Sequence, residues 1–323
     1  MSIRELFLHD IAFALGGQRA QLDASAAAGR LRSRVRDLRT AGFHQHHLSP
    51  PEQSAYDLAL AAVAPLGEKA TTVDGLFYAT CLPVNGNVGS VGSAAAYADS
   101  RDVKALMDFP ASRLQAALGL DRAFVVGINQ QACTGLLGCI RLACAMLSAE
   151  SEDAFVSALC LTADRFPAGA LYEQAYNLIS DGAAACIVSR TARGFRVCAC
   201  HGLTNGGLGQ ASDDETVGSF FSFGVRVVAE TLRKAGLSPA QIDWIVPQNT
   251  HARAWPALAR LTGLGGARIF DTSRAEVGHV ISGDNLINLS ALAQSGAARP
   301  GQRVLLFAAG YGLTFQSIVL EVV

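Results

Sequence analysis

The chain has little charge, few aromatic residues and no bias between acid and base. Of 323 residues 16% are charged and 7% aromatic, and 26 Lys and Arg stand against 27 Asp and Glu. A formal charge of −1 offers no bulk attraction for nucleic acid or an anionic membrane. No C-x-x-C spacing occurs among the eight cysteines (Cys81, Cys133, Cys139, Cys144, Cys160, Cys186, Cys198 and Cys200), so structural zinc is not expected. A chain this long is also not a disulfide scaffold, and most of these cysteines read as small buried apolar residues. His44, His46 and His47 have no Cys, Asp or Glu partner nearby, so they read as surface residues and no metal is expected. The start, Met1-Ser2-Ile3-Arg4-Glu5, lacks the basic-then-apolar order of a signal peptide, and no apolar run is seen to reach the roughly 18 residues of a membrane span. The expectation is a cytoplasmic protein with neither membrane nor nucleic acid among its partners.

Half of the residues are hydrophobic, which excludes disorder and implies a large core. Strand-like runs such as Ala123–Val126 and Phe155–Leu161 alternate with helical stretches at 133–147 and 219–235, the pattern of an α/β protein with buried sheets. The second half echoes the first. A helix at 56–65 followed by the strand Val73–Thr80 is matched by the helix at 219–235 followed by Ile242–Pro247, and Asp153–Cys160 by Gln302–Ala309. The halves are placed at 1–190 and 191–323, joined by the polar link Ser189–Gly194.

Phe124–Gly135 runs from a strand into a long apolar helix, with Cys133 at the helix start between small residues. Unpaired N–H groups and the positive end of the helix dipole favour a thiolate there, which makes Cys133 a candidate nucleophile. The other reading is a buried, inert cysteine, as expected for Cys139 and Cys144 further along the helix.

Several segments now fall in a familiar order. They are Arg39-Thr40-Ala41-Gly42 with Ser49-Pro50-Pro51-Glu52, then Ala132-Cys133-Thr134-Gly135, Ser180-Asp181-Gly182-Ala183, Asp243-Trp244-Ile245-Val246-Pro247, and Arg299-Pro300-Gly301 with Gly310-Tyr311-Gly312-Leu313-Thr314. In this order the chain resembles the thiolase-fold condensing enzymes, specifically those like β-ketoacyl-acyl-carrier-protein synthase III, over residues 35–323. The resemblance implies a thiolase fold of duplicated halves in a five-layered αβαβα sandwich, a homodimer, Cys133 as nucleophile, and an acyl-carrier-protein or coenzyme A thioester as substrate with no separate cofactor.

The pattern breaks at the partners of the cysteine. Condensing members pair it with a His and an Asn; here Gln248 follows Pro247 where that His belongs, and Gly278-His279 puts a histidine at the Asn position. Asp284 stands five residues further on, before the apolar stretch Asn285–Ala293. A Cys133–His279–Asp284 relay follows, similar to a subgroup that transfers acyl groups without condensation. Asp284 also suits a helix N-cap, His279 a satisfied core histidine, and His251 competes as the base, though no carboxylate follows it at a helpful spacing. For the oxyanion, the resemblance points to the N–H of Cys133 and to the closing loop at Tyr311, whose ring would narrow the pocket. Arg253 and Arg260 suit the phosphate of a carrier or coenzyme A, or else a solvated helix face. Arg39, with Arg30, Arg32, Arg34 and Arg36, suits an acidic carrier protein or is simply exposed.

The function expected is acyl transfer through an acyl-Cys133 intermediate to a hydroxyl, amine or thiol acceptor, in secondary metabolism. A decarboxylating condensing enzyme is the alternative, and an inactive partner subunit a third reading. The segment Pro83–Asp108, longer than in similar enzymes, is expected to shape the acyl or acceptor pocket.

Overall fold

A computed structural model describes residues 5–82, 98–102, 109–151, 153–174, 177–208, 213–311 and 313–323. The uninterrupted apolar runs become strands because both of their faces are covered; Gly182–Ser189 is buried at every position. In chain order the main-sheet strands are β1 (Phe7–Leu15), β2 (Gly75–Ala79), β3 (Phe124–Ile128), β4 (Ser157–Asp164), β5 (Gly182–Ser189), β6 (Phe195–Thr204), β7 (Trp244–Pro247), β8 (Arg268–Ile269), β9 (Arg303–Gly310) and β10 (Thr314–Val322). Their spatial order is β8-β7-β9-β10-β6-β1-β5-β4-β2-β3. Adding five to each strand number of the first half reproduces the second half as its mirror order about the β1–β6 junction. The directions agree too: β2 is parallel to β3 and β4, as β7 is to β8 and β9, and the remaining pairs are antiparallel. Only Phe7↔Arg196 and Leu8↔Phe195 register across the junction, so two five-stranded halves meet at one end of β1 and β6. The echoes expected from the sequence fall on β2 with β7 and on β4 with β9, and the polar link lies between β5 and β6.

Helices fill the layers on either side. α1 (Ala55–Val63), started by a capping box between Ser54 and Asp57, and α2 (Pro110–Ala117) cover the outer face of the first half through Leu58, Ala62 and Leu114. α3 (Gly135–Ala149) lies between the two halves, its Leu136, Ile140 and Leu147 sharing one core with Val246 and Leu306. α4 (Asp213–Ala235) and α5 (Ala254–Leu261) cover the outer face of the second half through Val227, Leu232 and Leu258. α6 (Asp284–Gln294) joins α3 in the middle layer through Leu286, Leu289 and Leu292. The result is the expected αβαβα order.

Two expectations are corrected. Ala132–Ala149 is long and apolar enough to span a membrane, contrary to the count made from sequence; its apolar residues instead pack against both halves of the main sheet. His46 is fully buried, not a surface residue, because Gln45–Leu48 forms a ribbon with Gln18–Gln21 and turns His46 inward. Its ring bonds Ser25 Oγ at 2.6 Å and the Ile179 carbonyl at 2.6 Å, and burial pushes its pKa down to about 4. Pro83–Asp108 lies outside the described residues except for 98–102.

Candidate active site

β3 ends at Ile128, and the chain turns through a single 3-10 turn, Ala132–Thr134, before α3 begins. Ala132 holds φ at +43°, a left-handed conformation that costs a non-glycine residue about 1–3 kcal/mol and is found mainly where function demands it. The strain sets Cys133 on the turn with 6% of its surface exposed. The end of β9 packs against this turn: a Cβ added at Gly310 would lie 2.8 Å from the Cys133 nitrogen and 2.9 Å from Ala132 Cβ. Only glycine fits. Gly310→Ala is expected to cost about 1–3 kcal/mol of stability and to displace the nucleophile. Urea denaturation measures the first effect and the rate of Cys133 alkylation the second.

His279 arrives from the opposite half of the molecule. Its main chain is pinned to the segment before β5, donating from N–H to Leu178 O at 2.7 Å and accepting from Ser180 N–H at 2.9 Å. Gly278 makes the approach possible, with φ of +74° and no room for a Cβ beside Ser180 Oγ and Leu178 O. Cys133 Sγ lies 3.4 Å from His279 Nε2, and His279 Nδ1 bonds Asp284 Oδ2. Only 1% of His279 and none of Asp284 is exposed.

Asp284 is not the N-cap. Gly283 occupies that position without a side-chain bond, and the Asp284 carboxylate turns inward as the first residue of α6. There it accepts from Val280 N–H at 2.6 Å and Asn249 N–H at 2.7 Å, besides the imidazole. Because a carboxylate only accepts, it holds the proton of His279 on Nδ1 and leaves the Nε2 lone pair facing the thiol.

Burial and charge act on Cys133 against the expectation drawn from the helix dipole. Contact with the Cys81 thiol, then burial, then the negative charges of Asp284 and Asp164 hold its pKa well above the ordinary thiol value. α3 starts two residues later, so Cys133 lies just outside its first turn. A raised pKa favours the thiol over the thiolate, so this nucleophile calls for a base.

Sequence reasoning missed the polar network behind the relay. Asn249 donates from Nδ2 to Gly278 O at 2.8 Å and to Ser273 Oγ at 2.9 Å, and accepts from Asn288 Nδ2 at 2.8 Å. Asn285 donates to Val246 O and Phe307 O, both at 2.9 Å, which ties α6 to β7 and β9. The signal was present as two asparagines three residues apart, Asn285 and Asn288, among the leucines of one helix.

The other candidates lie outside the relay. Gln248 is buried and its side-chain oxygen accepts from Ala309 N–H, while Trp255 donates to its carbonyl at 3.1 Å. His251 is half-buried, accepts from Arg253 N–H at 3.2 Å and bonds none of the three relay residues; burial lowers its pKa. Tyr311 is 44% exposed directly after Gly310. Arg253 precedes α5 and Arg260 lies in its last turn, both exposed, whereas Arg39 pairs with Asp23 at 2.6 Å on the surface.

Residues 232–322 match the family model of the 3-oxoacyl-[acyl-carrier-protein] synthase III C-terminal domain. Curated relatives named β-ketoacyl-[acyl-carrier-protein] synthase III include one from Dinoroseobacter shibae, 28% identical over 313 residues and covering 87% of this chain and 88% of its own. Another, from Paracoccus denitrificans, is 26% identical with the same coverage of both chains. Among solved structures, the acyltransferase ChlB3 superposes with a TM-score of 0.79 at 20% identity over 99% of this chain and 98% of its own. The 3-oxoacyl-(acyl carrier protein) synthase III of Pseudomonas aeruginosa gives 0.76 at 20% identity with the same coverage. The chain thus has the fold of the synthase III structures, and its residues 232–322 match that family's C-terminal domain.

Proposed function

We propose that the protein is a synthase III-like enzyme that transfers an acyl group without condensation. It takes the group from a carrier-protein or coenzyme A thioester onto Cys133 and passes it to a hydroxyl, amine or thiol acceptor in secondary metabolism. The observation that carries the reading is His279, held between the Cys133 thiol and the Asp284 carboxylate. Nε2 takes the thiol proton as sulfur attacks the thioester carbonyl, and returns it to the departing thiol of the donor. The acceptor then gives its proton to the same nitrogen, attacks the acyl carbon and releases Cys133, which is reprotonated. The imidazolium formed midway is stabilised by Asp284. Acyl transfer also agrees with the likeness to ChlB3, named as an acyltransferase. Oxyanion donors are assigned to the main chain around Cys133 and Tyr311, and the phosphate of the donor to Arg253 and Arg260.

A decarboxylating condensation needs donors aimed at a malonyl carbonyl. Gln248, standing where the resemblance places the family histidine, is oriented by its side-chain oxygen, which accepts from Ala309 N–H, and only its Nε2 group could donate, while His279 faces Cys133. Intact-protein mass spectrometry after exposure to a panel of acyl thioesters is expected to show one adduct, located by peptide mapping on Cys133 and absent from Cys133→Ala. Cys139, which is fully buried and held far above the ordinary thiol pKa by desolvation, stays unmodified. Carbon dioxide released from a malonyl thioester by the acyl-enzyme would overturn the acyltransferase reading in favour of condensation.

We assign a homodimer to the edge of the first half. Among the described strands β3 is the outermost on this side, its residues are apolar, and Phe124 is 54% exposed. Phe124→Glu is expected to turn a dimer into a monomer in light scattering, and a wild-type monomer would defeat this assignment.

A further inference from the structure

Cys81 is a second thiol in the site, and acyl transfer makes no use of it. It follows β2 at the sheet end from which the Cys133 turn leaves β3. The two strands are parallel neighbours with Ala79 opposite Ile128, and Thr80 N–H extends the ladder to Ile128 O at 3.0 Å. The main chain of Cys81 is fixed by its N–H donating to Asp164 Oδ1 at 2.8 Å, an oxygen that also accepts from Thr80 Oγ1 at 2.7 Å. Its side chain packs into the small apolar cluster formed by Leu48, Cys133, Phe166, Tyr172, Ile179 and Ile281. Cys133 is itself a member of that cluster, and both thiols are free. Cys81 is half-buried.

We propose that Cys81 and Cys133 form a reversible disulfide when the unacylated protein meets a peroxide. His279 Nε2 takes the Cys133 proton, and the thiolate attacks the peroxide. The O–O bond breaks, a sulfur–oxygen bond forms, and the leaving oxygen receives the proton from His279. Cys81 then attacks the sulfenic sulfur, the sulfur–oxygen bond breaks, and hydroxide departs with the Cys81 proton as water. Two thiols lose two electrons, hydrogen peroxide gains them, and two waters form. The bond blocks the nucleophile but spares it from the irreversible sulfinic state, and a thiol reductant restores it. Proximity alone does not suffice. Cys160 and Cys186 stand opposite each other on β4 and β5, yet both are fully buried and neither is bonded to a histidine. They serve as an internal control that stays reduced.

The inference rests on Cys133 being the reactive thiol with His279 as its base, and on no particular acyl donor or acceptor. The test exposes the full-length protein to hydrogen peroxide, alkylates remaining thiols and maps peptides without reduction. The expected result is one linked pair, Cys81 with Cys133, and recovery of iodoacetamide labelling at Cys133 after dithiothreitol. In Cys81→Ser the same treatment adds two or more oxygens to Cys133, and labelling does not return. Sulfinic acid on wild-type Cys133 without a linked peptide would overturn the inference. So would a Cys81→Ser protein that recovers as fully as wild type. A linked pair in a protein that accepts no acyl group would leave the inference standing and remove the acyltransferase reading.

Discussion

His279→Ala is expected to slow acylation of Cys133 by about 10⁴-fold or more. The size follows from the state of the nucleophile. Cys81, burial and the nearby carboxylates raise the Cys133 pKa and favour the thiol, and His279 Nε2 is the base bonded to it, at 3.4 Å. Without the imidazole the reaction waits for the small fraction of thiolate present in solution equilibrium. That fraction grows about tenfold per pH unit below the thiol pKa. The acylation rate of His279→Ala is therefore expected to climb with pH across the neutral range, more steeply than that of wild type. Single-turnover mass spectrometry at several pH values measures both the loss and the slope. A His279→Ala protein acylated at the wild-type rate would remove the histidine from the mechanism and return it to the role of a core residue.

Asp284→Asn is expected to lower turnover by about 10³-fold, less than the loss of His279 because the base itself remains. The carboxylate accepts from the His279 ring, Val280 N–H and Asn249 N–H together. An amide has one accepting atom, so its NH₂ group must confront one of these donors. The imidazole relieves the clash by moving its proton to Nε2, which then faces Cys133 with a donor where a base is needed. The same substitution leaves buried donors poorly matched and so lowers the melting temperature. The two effects separate experimentally, since a scaffolding role alone moves the melting temperature without moving the rate. A protein that melts earlier yet turns over normally would assign Asp284 to the scaffold.

The relay was legible in the sequence for a local reason. His279 and Asp284 lie five residues apart across a single turn, close enough for spacing to suggest a pair. Their bond to Cys133, 146 positions away from His279, was supported in advance only by the resemblance. The capping reading of Asp284 was sound as local chemistry and failed because Asn249 and Val280 bring main-chain donors from outside the helix. Asp181, in the segment Ser180-Asp181-Gly182, illustrates the converse. Its buried carboxylate accepts from Phe166 N–H at 2.8 Å and Ser49 N–H at 2.7 Å, so this part of the motif holds the frame together.

The sequence by itself determined the alternation of strands and helices and the echo of one half in the other; the departure from a condensing pattern at Gln248 and His279 was visible only beside the family it resembles. The first two are properties of periodicity and residue identity, which a chain carries before it folds. Tertiary structure alone decided the burial of His46, the inward turn of Asp284, the meeting of Cys81 with Cys133 and the resting state of the nucleophile. Each depends on groups from separate segments brought together, such as Ile179 with His46, Asn249 with Asp284, and Cys81 with the cluster that holds Cys133. Charge and hydrogen bonding are amplified where water is excluded, and which residues are so enclosed is set only when the layers close.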